Sequence, residues 1–107
     1  MSQRSIPLIA RDQLKEGISG PFEVMGHSVL LILREGEIHA IENRCGHFGI
    51  PLEDGHLEND TIVCRQHGIS FYLKDGNVCN RPYENCEPVK IFSWEIQDGQ
   101  VCIILDD

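Results

Sequence analysis

Apolar residues fall in short runs along this chain, and polar turn pairs recur between the runs. Phe22–Met25, Ser28–Arg34, Glu37–Glu42, Thr61–Val63, Ser70–Leu73, Val89–Ile96 and Gln100–Leu105 carry much of the Val, Ile, Leu, Phe and Tyr and are predicted strands. Glu35-Gly36, Asp54-Gly55, Asp75-Gly76 and Asp98-Gly99 are the turn signals. This rhythm predicts an all-β fold, a small sandwich or barrel. Two hairpins are marked: Leu31 to Ile41 folds back at Glu35-Gly36, and Trp94 to Ile104 folds back at Asp98-Gly99. Helical signal is thin. Arg11 to Glu16 predicts one short turn of helix that Gly17 ends.

Two stretches fit neither period. Asn43 to Asp60 holds three glycines, one proline and many polar groups, and a loop that long in a compact domain usually has a function. Asn80 to Pro88 contains Arg81-Pro82 and Glu87-Pro88, which a central strand does not accommodate. No repeat or linker divides the chain, and its 107 residues suit one domain with one core, spanning 1–107.

Composition narrows the function. The longest strongly apolar run is Val29-Leu30-Leu31-Ile32-Leu33, far below the roughly 20 residues that cross a bilayer. Met1 to Pro7 has no apolar signal core, so the expected location is the cytoplasm, without a membrane anchor. The formal net charge of −8 argues against nucleic acid and anionic membranes, which select a basic surface. The five cysteines, Cys45, Cys64, Cys79, Cys86 and Cys102, are an odd set. Without a signal peptide they point to metal ligands and free thiols, not a disulfide framework.

Cys45-Gly46-His47 and, sixteen residues later, Cys64-Arg65-Gln66-His67 form two pairs, each with one thiol and one imidazole. Two short pairs on separate loops bring ligands to a metal from different directions. Gly49 and Gly68 nearby let backbone approach closely. One tetrahedral zinc would take all four ligands. A [2Fe–2S] centre would place the cysteines on one iron and the histidines on the other. Spacing leaves both open.

The wider pattern resembles the Rieske family. Cys45-Gly46-His47-Phe48-Gly49-Ile50-Pro51-Leu52-Glu53-Asp54-Gly55 is similar to its first cluster loop. Cys64-Arg65-Gln66-His67-Gly68-Ile69-Ser70-Phe71, followed by Asp75-Gly76, is similar to its second loop and strand. Arg81-Pro82 with Pro88-Val89 resembles the proline loop that covers the cluster. The resemblance runs from about Leu31 to the C-terminus. It implies a β-sandwich or barrel with a cluster-binding subdomain inserted at about residues 43–82. It also implies one [2Fe–2S] cluster held by Cys45, His47, Cys64 and His67, and an electron exit at the two histidines. The rim expected to dock partners is Phe48, Pro51, Gln66 and Pro82.

Within the family the chain is most similar to the ferredoxins of aromatic ring-hydroxylating dioxygenase systems. Those carry single electrons from an NAD(P)H-dependent flavoprotein reductase to a terminal oxygenase and turn over no substrate themselves. Alternatives are the small Rieske-like subunit of a nitrite reductase and a zinc-binding interaction module. The oxygenase itself would need a further iron held by two histidines and a carboxylate in a large catalytic domain. High-potential Rieske proteins join an extra cysteine from each loop in a disulfide and place a serine and a tyrosine after the second histidine. The matching positions here are Ile50 and Gln66, and Ile69 and Phe71. Ser70 and Tyr72 are each one place off and, on a strand, should face the other way. A low potential within the family is therefore expected. His27, His39 and His56 lack a paired ligand and are expected on surfaces or strands. Cys79, Cys86 and Cys102 are expected to be buried or incidental thiols, and Trp94 a core residue.

Overall fold

Val29 to Leu33, the longest apolar run, lies on the strand His27–Arg34, and all five residues are buried. A strand with one wet face alternates apolar and polar residues; a continuous apolar run needs cover on both faces. The computed structural model, which describes residues 3–45, 50–65, 68–79 and 87–106, supplies that cover with three small sheets. The strands are β1 (Gln3–Ala10), β2 (Gly17–Val24), β3 (His27–Arg34), β4 (Glu37–Glu42), β5 (His56–Glu58), β6 (Thr61–Val63), β7 (Ser70–Tyr72), β8 (Ser93–Gln97) and β9 (Gln100–Asp106). They pair antiparallel in the orders β1-β9-β8, β2-β3-β4 and β5-β6-β7. Among the described residues the only helical piece is a 3₁₀ turn, Arg11–Gln13, and no helix is long and apolar enough to cross a membrane.

The β2-β3-β4 sheet has an apolar core on each side. Val29, Leu31 and Leu33 of β3 join Ile38 and Ala40 of β4 and Val101, Ile103 and Leu105 of β9 in the first core. Leu30 and Ile32 of the same strand, with Ile41, pack against Leu52, Ile62, Ile69, Phe71 and Leu73 in the second. The period-two alternation of β3 thus divides five residues between two cores. Burying such a side chain stabilises the fold by roughly 1.5–3 kcal/mol. The β5-β6-β7 sheet, between β4 and β8 in the chain, is held to the rest mainly through this second core. Arg34 adds a tie by donating from Nε to the Asn59 carbonyl at 2.9 Å.

Most predicted strands are present, β4 and β6 with their predicted limits. Both expected hairpins form, turning at Glu35 (φ 53°) and Gly36 (φ 82°), and at Asp98 (φ 51°) and Gly99 (φ 76°). Positive φ at both central residues is the type I′ geometry that matches strand twist. A third hairpin of this kind, at Met25-Gly26, joins β2 to β3. The sequence reading missed β1, the first half of β2 and β5. β1 and β2 contain Pro7 and Pro21, which read as breakers. Both strands lie at sheet edges, where a missing N–H leaves no gap in a ladder. β5 has Leu57 as its one apolar residue.

The predicted strand Val89–Ile96 is broken in two. Glu42 donates to the Lys90 carbonyl and Phe92 to the Ala40 carbonyl, both at 2.9 Å, so Lys90 to Phe92 runs along β4. β8 then pairs with β9 in another sheet. The expected helical turn reduces to the 3₁₀ turn, because Leu14 leaves it to enter the first core.

Gly76 fixes the segment that returns toward β8. Val89 donates to its carbonyl at 2.9 Å, its φ is +78°, and a Cβ there would overlap the Val89 carbonyl oxygen. Gly26, at φ +85°, has open space around it. Gly76→Ala is expected to lose more than 2 kcal/mol in urea unfolding, from overlap added to left-handed strain, whereas Gly26→Ala is expected to lose about 1–2 kcal/mol.

Candidate metal centre

The second cysteine loop grows from a strand pair. Thr61, Ile62 and Val63 pair with Tyr72, Phe71 and Ser70. Past Val63 the chain makes a tight loop, in which Cys64 donates its N–H to the Ile69 carbonyl at 2.8 Å and Gly68 donates to the Cys64 carbonyl at 2.9 Å. Gly68, at φ +68°, takes the left-handed conformation this return requires. The first loop closes in the same way: Cys45 donates to the Ile50 carbonyl at 2.7 Å, and the two residues form an isolated antiparallel bridge. In each case a cysteine bonds the isoleucine five places on, and in sequence a glycine precedes that isoleucine.

Both loops end in one core. Cys45 is 0% and Cys64 1% exposed, neither is in a disulfide, and both pack in the second apolar cluster. Gly55, on the return limb of the first loop, comes so close to β6 that a Cβ would overlap the Val63 carbonyl oxygen. That approach brings the first loop against the residue preceding Cys64. Two buried, unbridged thiols in a shared apolar setting suit a metal with a preference for soft sulfur ligands, iron in a sulfide cluster or zinc. The donor chemistry therefore fits the expected group. His47 and His67 lie outside the described residues, as do Phe48, Gln66 and Pro82 of the expected docking rim; Pro51 is described and exposed.

The positions that would hold hydroxyl donors in a high-potential centre are apolar and buried, Ile69 at 0% and Phe71 at 1% exposure. Ser70 and Tyr72 alternate with them and are half-buried. Tyr72 is hydrogen-bonded to the Cys79 side chain, and that bond, with the charge on Cys79, raises the phenol above its ordinary value of 10.0. Cys79 is exposed, not buried, and Cys102 is a buried thiol of β9 lying 3.6 Å from the Gln100 carbonyl; Cys86 lies outside the described residues. The remaining histidines have other neighbours. His27 meets Phe92 edge-on at 5.6 Å, His39 lies 3.9 Å from Glu37, and His56 lies 3.0 Å from Glu58. Trp94 packs against the first core.

Two features escaped the sequence reading. Arg44 and Arg65 are exposed beside the two cysteines, which sets positive charge next to the cysteine loops of an acidic chain. Asn43 is buried at 9% exposure. No hydropathy pattern marks a single buried polar residue in a loop.

The chain is similar to known proteins over nearly all its length. A ferredoxin component of an alkene monooxygenase system from Xanthobacter autotrophicus is 32% identical over 99 residues, covering 92% of this chain and 79% of the relative. The solved Sphingomonas yanoikuyae B1 ferredoxin is 27% identical, with a TM-score of 0.83 over 96% of this chain and 100% of that one. A ferredoxin solved in a complex of reduced oxygenase and oxidized ferredoxin of carbazole 1,9a-dioxygenase is also 27% identical, with a TM-score of 0.77 over 92% and 99%. The family model of the Rieske [2Fe–2S] domain matches residues 4–95. With both cysteine loops closed onto one core inside that match, the chain belongs to the Rieske [2Fe–2S] family.

Proposed function

We propose that Cys45, His47, Cys64 and His67 hold the cluster, and that the chain is the ferredoxin of an aromatic ring-hydroxylating oxygenase system. It takes single electrons from an NAD(P)H-dependent flavoprotein reductase and delivers them to a terminal oxygenase in the cytoplasm. The observation that carries this reading is the pair of buried cysteines, each heading a loop closed by the same Cys-to-Ile hydrogen bond. Support comes from relatives that are named as ferredoxin components of oxygenase systems. In this reading the whole chain is one domain, and residues of about 43–82 form its cluster-binding part.

The bound cluster supplies one reversible electron. Two thiolates on one side and two neutral imidazoles on the other leave the oxidised site without net charge, so adding an electron meets less repulsion than at a four-thiolate site. Cys45 and Cys64 bind from the buried side. His47 and His67, the other two ligands in this reading, would give the electron its way out. Phe48, Pro51, Gln66 and Pro82 would supply the contact rim, and the exposed Arg44 and Arg65, each next in sequence to a cysteine, would favour carboxylates on a partner.

The purified protein should be coloured, contain two irons per chain, and give an axial signal of the histidine-ligated kind after dithionite reduction. A colourless zinc-loaded product from an iron-replete preparation would overturn the proposal. Cys64→Ala and His67→Ala should each remove the visible absorption, while His56→Ala should leave it intact. With Ile69 and Phe71 in place of hydroxyl donors, a redox titration should give a midpoint near the negative end of the family's window of about −150 to +300 mV. Phe48→Asp should slow electron transfer to an oxygenase in stopped-flow measurements without changing the cluster's spectrum. Loss of the spectrum would instead make Phe48 structural.

A further inference from the structure

The two cysteine loops share one closure but are anchored differently. The second loop is gripped on both limbs by the β6–β7 ladder, since Val63 pairs with Ser70 directly beneath it. The first loop leaves β4 at Asn43, and its return limb past Ile50 joins no strand before β5. The N–H groups of Leu52 and Glu53 therefore lack a ladder, and a buried N–H needs some acceptor. Asn43 provides it. Its Oδ1 accepts from Leu52 N–H at 2.7 Å and from Glu53 N–H at 2.9 Å. Its Nδ2 donates to Glu53 Oε1 at 2.9 Å and to Ser28 Oγ at 3.3 Å, and its backbone N–H donates to the Ser28 carbonyl at 2.8 Å.

An amide side chain has two acceptor positions and two donors, and here all four are used. The side chain ties together three parts of the molecule: the start of β3 at Ser28, the outgoing limb two residues before Cys45, and the return limb two residues after Ile50. Leu52, fully buried, is carried by this tie into the core that holds both cysteines. A leucine at position 43 would leave two N–H groups without an acceptor. An aspartate would keep both acceptors and lose the donation to Glu53.

We propose that Asn43 is a positioning residue of the metal centre: its amide fixes the register of the first ligand loop and so the placement of the Cys45 sulfur. The inference rests on the reading that Cys45 binds iron. It differs from a packing role because the hydrogen-bond pattern, not the volume, is the active property, so reversing the polarity of one bond should restore it.

The test compares the cluster-loaded wild type with Asn43→Ala, Asn43→Asp and the double variant Asn43→Asp/Glu53→Gln. The readouts are the rate at which visible absorbance is lost in the presence of an iron chelator, the signal of the reduced state, and the midpoint potential. Asn43→Ala should lose the cluster about tenfold to a hundredfold faster, the usual range for a group that orients a ligand, with a shifted signal and potential. Asn43→Asp should also lose it faster, because the introduced carboxylate faces that of Glu53. The double variant, in which the introduced amide donates back across the same gap, should return the wild-type rate and signal. A wild-type rate and spectrum in Asn43→Ala would overturn the inference, as would a defect in Asn43→Asp that Glu53→Gln does not repair. Should Asn43→Ala fail to fold, the single and double aspartate variants still decide the matter. A wild-type protein without a histidine-ligated signal would mean instead that the ligand assignment has failed.

Discussion

Strand β3 has to be buried on both faces, and the arrangement of the molecule follows from that. One face is met by the β1-β9-β8 sheet through Val101, Ile103 and Leu105. The other is met by Leu52, Ile62, Ile69, Phe71 and Leu73. The second group belongs to the segment that carries both cysteine loops. The packing that hides Leu30 and Ile32 from water thus also seats Cys45 and Cys64 against the β2-β3-β4 sheet. Packing of this density transmits small displacements instead of absorbing them, which suits a site whose ligands must keep their geometry through a change of charge.

The cysteine loops show how one local solution can be placed in two contexts. A cysteine N–H bonded to the carbonyl five residues on closes both. Backbone N–H groups near a cluster matter for its sulfurs as well as for the fold, so a closed loop leaves only selected donors free to face inward. The second loop takes its rigidity from the hairpin beneath it. The first, between a strand end and a free limb, takes it from a side chain, and a buried amide with every hydrogen bond made is well suited to this. Glu53 takes part from the surface, so the tie spans the loop from its buried side to solvent.

Charge is distributed unevenly around the cysteine loops. The net charge of −8 is spread over a chain whose exposed Arg44 and Arg65 flank the two cysteines. A local charge opposite to that of the body is the kind of feature that orients an approaching partner without tight binding. The positions Ile69 and Phe71, buried beside the second loop, are apolar and carry no hydroxyl.

The family resemblance was legible in the sequence because Cys45, His47, Cys64 and His67 are rare residue types at short spacings, set in longer matching stretches. Strands with regular alternation or strong turn pairs were legible for a similar local reason, as β4 and the hairpins at Glu35-Gly36 and Asp98-Gly99 show. Edge strands were not. Pro7 and Pro21 read as breaks until the sheet order places β1 and β2 where no further partner needs the missing N–H. The division of Val89–Ile96 between two sheets and the hydrogen bonds of Asn43 were likewise invisible. By itself the sequence determined the family resemblance and the all-β class, since both follow from residue identity and pattern along the chain. Only the tertiary structure decided which polar groups meet which, because those contacts join residues such as Asn43, Ser28 and Glu53 that no local period connects.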